Sequence, residues 1–162
     1  MDVTVTTTFD APRPLVAAIA GDPDQAMRWY ANIRSVRWQS APEVVEGARV
    51  DFVARFLGRQ LAYTYEIVDL VPDERLVMRT DDGPFPMETT YTWWDEDPAQ
   101  EGGPARTGMS LRNAGRPKAM TTLASGAVTL GMKRAMRRDL ERLRLVLREA
   151  QDAPPDDGPT TA

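Results

Sequence analysis

The residues best suited to chemistry are aromatic and come in pairs. Tyr63 and Tyr65 are two apart, as are Tyr91 and Trp93. In an extended strand, residues two apart share a face. Met87 and Thr89 continue the Tyr91 side backwards, and Met109, Leu111 and Asn113 form a third run of the same spacing. Gathered on one concave face, these side chains would supply apolar walls, phenol handles and one amide. Buried hydroxyls need partners, and a bound molecule or water could supply them. The Asn113 amide could orient a carbonyl or hydroxyl, or simply end a strand. Tyr63, Tyr65 or Tyr91 could also move protons while a dipole stabilises an enolate. Plain core packing would use the same residue types, and a one-residue slip in register would turn every one of them outward.

The chain has no His and no Cys. Imidazole acid/base chemistry, Ser-His-Asp triads, thiolate nucleophiles, His or Cys metal sites and disulfides are thereby excluded. Asp95-Glu96-Asp97 lacks the alternating oxygen ligands and closing Glu of a calcium loop and reads as part of a solvated acidic loop, Asp95 to Pro104. No metal and no cofactor is expected. Arg55, Arg79 and Arg112 read as surface or ion-pair residues, since alternation turns Arg55 and Arg112 away from the aromatic set. Glu88 falls on that other face too and is not read as a general base.

The length of 162 residues suits one domain, and 42% hydrophobic with 27% charged residues is ordinary globular composition. The net charge of −4 and pI near 4.9 argue against general nucleic-acid binding. Met1-Asp2-Val3-Thr4-Val5 has neither a basic nor an apolar leader segment. The longest uncharged stretch, Ala119 to Met132, is 14 residues, short of the roughly 20 that a membrane span needs. A soluble, cytoplasmic protein is expected.

These side chains must be positioned by strands and one long helix. Val3 to Phe9 alternates as a strand. Leu15 to Ala20 reads as a short helix that Gly21 ends. Asp22-Pro23-Asp24-Gln25 opens a second helix, with Asp22 as cap, Pro23 first and Gln25 reaching back, running to about Asn32. Carboxylates are favoured at such a start, so Asp22 and Asp24 read as capping groups. Strands follow at Ile33 to Gln39, Ala48 to Leu57, around Leu61 to Ile67, Leu76 to Thr80, from Met87, and around Met109 to Asn113. Their short links imply an antiparallel meander with one apolar face. Its cover is a C-terminal helix with the stripe Met132, Met136, Leu140, Leu143 and Leu147. Met120, Leu123, Ala127 and Leu130 make a second stripe on another side, so a kink or change of partner is expected near Gly126 to Gly131, unless this upstream half is buried all round. Met120, Met132 and Met136 suit a wall that accepts variable shapes, or simple core filling. Gln151 to Ala162 reads as a disordered acidic, Pro-rich tail, leaving residues 1–150 as the domain.

Taken in order, these pieces resemble the helix-grip superfamily of START-like and polyketide cyclase/dehydrase-like proteins (SRPBCC). The residues that carry the resemblance are Ala11-Pro12 and Val16 after strand 1, Asp22 before the second helix, and Trp29 within it. They continue with Glu66 through Pro72 to Arg75-Leu76 and Arg79, and with Asp139-Leu140-Glu141-Arg142-Leu143 at the helix end. The resemblance covers about residues 1 to 150. It implies an α+β helix-grip fold: a curved seven-stranded antiparallel sheet wrapped around a long C-terminal helix, two short helices after strand 1, and a cavity between sheet and helix. Members bind lipids, sterols, polyketides or plant hormones, and some are aromatases or cyclases working with cavity Arg, Tyr and Trp groups, sometimes with His or Asp. The missing His departs from that chemistry.

Three functions follow as expectations. The first is binding of a hydrophobic small molecule, with Trp29, Tyr63, Tyr65, Met87, Tyr91, Trp93, Met109, Asn113, Met120, Met132 and Met136 lining its cavity. The second is a metal-free cyclase or dehydratase using the tyrosines. The third is protein docking through the basic helix: residues 117–150 carry eight Lys/Arg against three Asp/Glu in a chain of net charge −4. No nucleic acid and no membrane span is expected as a partner, and a homodimer stays open.

Overall fold

Val and Thr alternate through β1 (Asp2–Phe9), so Val3, Val5 and Phe9 turn inward while Asp2, Thr4 and Thr6 face solvent. The computed structural model describes residues 1–56, 58–80, 86–115 and 126–153. After β1 come α1 (Arg13–Ala20), a single 3-10 turn (Pro23–Gln25) and α2 (Ala26–Trp29). The strands β2 (Ile33–Trp38), β3 (Arg49–Phe56), β4 (Arg59–Val71), β5 (Arg75–Thr80), β6 (Met87–Glu96) and β7 (Arg106–Gly115) follow, and α3 (Gly126–Asp152) closes the chain. Among the described residues, no helix is long and apolar enough to cross a membrane.

All seven strands form one antiparallel sheet in the order β1-β7-β6-β5-β4-β3-β2. β2 to β7 are a meander, and β1 adds beside its last strand. The sheet has a buried face and a solvated one, as the two-residue repeat requires. Phe52 lies opposite Tyr63 and Val50 opposite Tyr65; Thr89 lies opposite Asn113, Tyr91 opposite Leu111, and Trp93 opposite Met109. On the solvated face, Arg79 meets Glu88 at 2.7 Å, Arg112 meets Asp2, and Arg49 meets Glu66 at 3.2 Å. Arg55 is exposed.

Four expectations need correction. Asp22 does cap, accepting from the Asp24 N–H at 2.9 Å, but Gln25 accepts from Arg28 at 2.8 Å instead of reaching back. The second helix ends at Trp29, not near Asn32, because Tyr30 swings to extended backbone and sends its hydroxyl to Tyr91. The acidic loop is shorter than read: Asp95 and Glu96 still belong to β6, paired with Thr107 and Arg106. Helical bonding runs to Asp152, and Gln151 donates to the Asp10 carbonyl at 3.2 Å.

α3 packs on β1, α2 and α1 through Met136, Leu140, Leu143, Val146 and Leu147, all buried. That is the stripe read from helical spacing, with Met132 half-buried at its upstream end. Helical structure continues through Gly131. Met120 and Leu123 lie outside the described residues. Arg144, one of the eight Lys/Arg counted in residues 117–150, turns to β1 instead of standing free in solvent. Its guanidinium sits 5.0 Å from the Phe9 ring centre and donates to the Thr8 carbonyl at 2.8 Å and the Thr7 hydroxyl at 3.0 Å. It fastens α3 to β1 and is no free docking group.

On the solvated face, Trp94 lies across from Gly108. A Cβ added at Gly108 would stand 2.2 Å from the Trp94 ring, so the indole occupies the space that any side chain would need. Gly108→Ala should therefore destabilise the fold by about 1–3 kcal/mol through overpacking. Urea unfolding checks this, and adding Trp94→Ala to Gly108→Ala should recover part of the loss.

Candidate ligand-binding site

The sheet register brings six expected site residues onto the buried face: Tyr63 and Tyr65 on β4, Met87, Tyr91 and Trp93 on β6, and Met109 on β7. Asn113 joins them at the end of β7. α2 adds Trp29, and α3 adds Met132 and Met136. Met120 lies outside the described residues. The set divides by exposure. Trp29, Tyr65, Tyr91, Trp93, Met109 and Met136 are buried, and Tyr63, Met87, Asn113 and Met132 are half-buried. The first group packs together: Tyr91 stacks on Trp93 at 5.9 Å between ring centres and meets Trp29 edge-on at 6.5 Å. The second group keeps surface to offer.

A chain of hydrogen bonds crosses β4, β6 and β7. The Thr89 hydroxyl donates to Asn113 Oδ1 at 2.8 Å. Thr89 has one proton, so it must accept from the Tyr65 hydroxyl, 3.0 Å away. The direction Tyr65 to Thr89 to Asn113 leaves the Asn113 amide nitrogen as the end of the chain, with two N–H donors on a half-buried residue. Tyr63 stands beside this chain, stacked on Phe52 at 6.0 Å and edge-on to Tyr65 at 5.4 Å. Burial raises its pKa well above the ordinary phenol range, so it stays protonated. Its hydroxyl has no hydrogen-bond partner among the described residues.

Tyr30 and Tyr91 pair their hydroxyls at 2.8 Å, and Tyr30 stacks on Trp29 at 3.8 Å. Beside them Asp139, 7% exposed, accepts the Ala31 N–H at 3.0 Å. Burial raises the Asp139 pKa to about 6; the Ala31 N–H and Arg142 pull the other way. Burial also lifts Tyr30 and Tyr91, and the nearby Asp139 charge adds to it. Two indole N–H groups, on Trp29 and Trp93, are buried without a partner among the described residues. Each such group costs about 1–3 kcal/mol.

Sequence reasoning missed Tyr30 and Asp139 as site residues, and it read Thr89 only as part of a strand face. The signal for Asp139 was its spacing. It stands three residues after Met136 and four before Leu143, inside an apolar stripe where a carboxylate is costly. Tyr30 carried no comparable signal, because its place depends on the helix ending early. An open depression of about 670 Å³ lies at the end of the sheet, lined in part by Met1, Asp2, Thr80, Met87, Arg112 and Gly115. Among the described residues, Met87 is the one expected site residue on its rim.

The raised pKa of Asp139 has a defined stability signature. Between pH ~4 and ~6 the unfolded carboxyl ionises while the folded one keeps its proton. The folded state then binds more protons, and this group's contribution to stability falls as pH rises through that window. Asp139→Asn keeps an oxygen for Ala31 and removes the titration. The stability difference, variant minus wild type, should grow from pH ~4 to ~6 and level off above. Urea unfolding across that range checks it, and carboxyl NMR should place the Asp139 midpoint near pH 6.

The architecture is shared with solved structures of low sequence identity. TTHA0849 from Thermus thermophilus superposes with a TM-score of 0.75 at 17% identity, covering 94% of this chain and 100% of that one. A START superfamily protein from Mycobacterium smegmatis gives 0.76 at 10% identity, covering 92% and 98%. The di-domain ARO/CYC protein BexL of the BE-7585A biosynthetic pathway gives 0.70 at 15% identity, with 94% of this chain on 48% of that one. No curated protein matches the sequence. A family model described as polyketide cyclase / dehydrase and lipid transport matches residues 1–148. Nearly the whole described fold lies inside that match, and the chain belongs to the polyketide cyclase / dehydrase and lipid transport family.

Proposed function

We propose that the chain binds a hydrophobic small molecule, of polyketide, aromatic, sterol-like or lipid type, between the inner sheet face and α3. The observation that carries this reading is the end of the Tyr65–Thr89–Asn113 chain. Two amide donors of Asn113, beside Met87 on the neighbouring strand, and the Tyr63 hydroxyl sit on half-buried residues of an uncharged inner face. Donors without a partner among the described residues, in such a place, fit an oxygen of a bound molecule. Affinity would come mainly from apolar burial, at about 25 cal/mol per Å² before the costs of association.

A second reading, a cyclase- or dehydratase-type reaction, is favoured by one feature. The Tyr63 phenol is held protonated and has no partner among the described residues, which suits donation to a developing enolate or a departing hydroxyl. Tyr65 and Tyr91 already spend their hydroxyls on protein groups. Tyr63→Phe should then abolish turnover of a polyketide-like substrate.

Native mass spectrometry of gently purified protein tests the binding reading. A discrete added mass that leaves on denaturation is the expected result. Nile red, a neutral carbonyl-bearing dye, should bind and brighten, and Asn113→Leu should weaken it by about three- to ten-fold, the worth of one net hydrogen bond. A clean protein mass together with no Nile red binding would overturn the reading.

A further inference from the structure

The charges on the sheet are sorted by face. Arg49, Arg79 and Arg112 all stand on the solvated side, paired with Glu66, Glu88 and Asp2. The polar groups of the buried side, Tyr63, Tyr65, Thr89, Tyr91 and Asn113, are neutral. α3 covers that side with a stripe whose buried members are apolar except for Asp139. Arg144, near the edge of the stripe, is turned to Phe9, Thr7 and Thr8 of β1. The one buried charge among the described residues is therefore negative. It lies next to the Tyr30–Tyr91 pair that joins α2 to the inner sheet face.

Resting on the binding reading above, we infer that the ligand is neutral, an apolar ketone, alcohol or phenol, and that Asp139 is the residue that disfavours carboxylates. A carbonyl or hydroxyl oxygen satisfies the Asn113 amide without bringing a charge out of water. A carboxylate would have to lose its hydration and then meet Asp139 as a like charge in a poorly screened space. The same arrangement needs no counter-ion for the ligand, and it fits the placing of Arg49, Arg79 and Arg112 on the outer face.

Equilibrium dialysis at pH ~7.5 with the full chain tests this on two matched pairs. One is naphthyl methyl ketone with naphthoate, and the other is dodecanol with dodecanoate. The neutral member of each pair should bind at least ~10-fold tighter. Asp139→Asn, which keeps an oxygen for the Ala31 N–H, should narrow that ratio by ~5-fold or more, and Asp139→Ala serves as a second variant if the amide does not fold. A preference that comes only from the carboxylate's own hydration would persist in both variants, and that result overturns the role of Asp139. Equal binding of both members to the wild type overturns the neutral-ligand inference while leaving the binding reading intact. Failure of all four probes, with Nile red also silent, overturns the binding reading and the inference with it.

Discussion

The ladder between β6 and β7 sets Thr89 opposite Asn113, Tyr91 opposite Leu111 and Trp93 opposite Met109. Directly opposed side chains are the closest neighbours a sheet offers. The Thr89–Asn113 bond that ends the hydroxyl chain, and the seating of the Tyr91–Trp93 stack on Leu111 and Met109, follow from this one register. A shift by one residue would exchange the faces, placing Glu88, Thr90 and Trp94 inside. The solvated face holds the register from its own side. Arg79 meets Glu88 across β5 and β6, Arg112 meets Asp2 across β7 and β1, and Trp94 lies over Gly108 within the β6–β7 ladder itself. Exposed ion pairs add little energy singly. In the slipped register those charges would lie inside, and that penalty is large.

The early end of α2 joins the helices to this sheet. Three contacts converge there: Trp29 is fully buried, Tyr30 reaches Tyr91, and the Ala31 N–H finds Asp139. A peptide N–H leaving a helix needs an acceptor, and a carboxylate is a strong one. Its desolvation is costly, and the raised Asp139 pKa expresses that cost. The same carboxylate that ties α3 to the α2–β2 junction thus stands beside the aromatic face as its buried charge.

Membership in the family and the likeness to START and ARO/CYC structures fix the architecture, and the same architecture carries more than one kind of function. Function has to be argued from this chain's own groups. Among the described residues those groups are a phenol without a partner, an amide with spare donors, and walls of Tyr, Trp and Met. On the proposed reading they are binding groups first, and the phenol is the natural proton donor if there is turnover.

Much of this was legible in the residues. Period-two spacing in Tyr63 to Ile67 and Met87 to Trp93 marked the strands and their inner face. Helical spacing marked Met132 to Leu147 as the covering stripe, and alternation sent Arg55 and Arg112 outward. Local chemistry sufficed for these because burying one face of a regular element imposes its own period. The rest needed the third dimension. Tyr30 meets Tyr91 across 61 positions, Ala31 meets Asp139 across 108, and Arg144 reaches Thr8 across 136. No local period encodes which distant group a polar atom will find. Residue order was enough to specify the elements and their apolar faces. Packing in three dimensions settled which polar groups satisfy one another, because hydrogen bonds are short-ranged and pair only what the fold brings together.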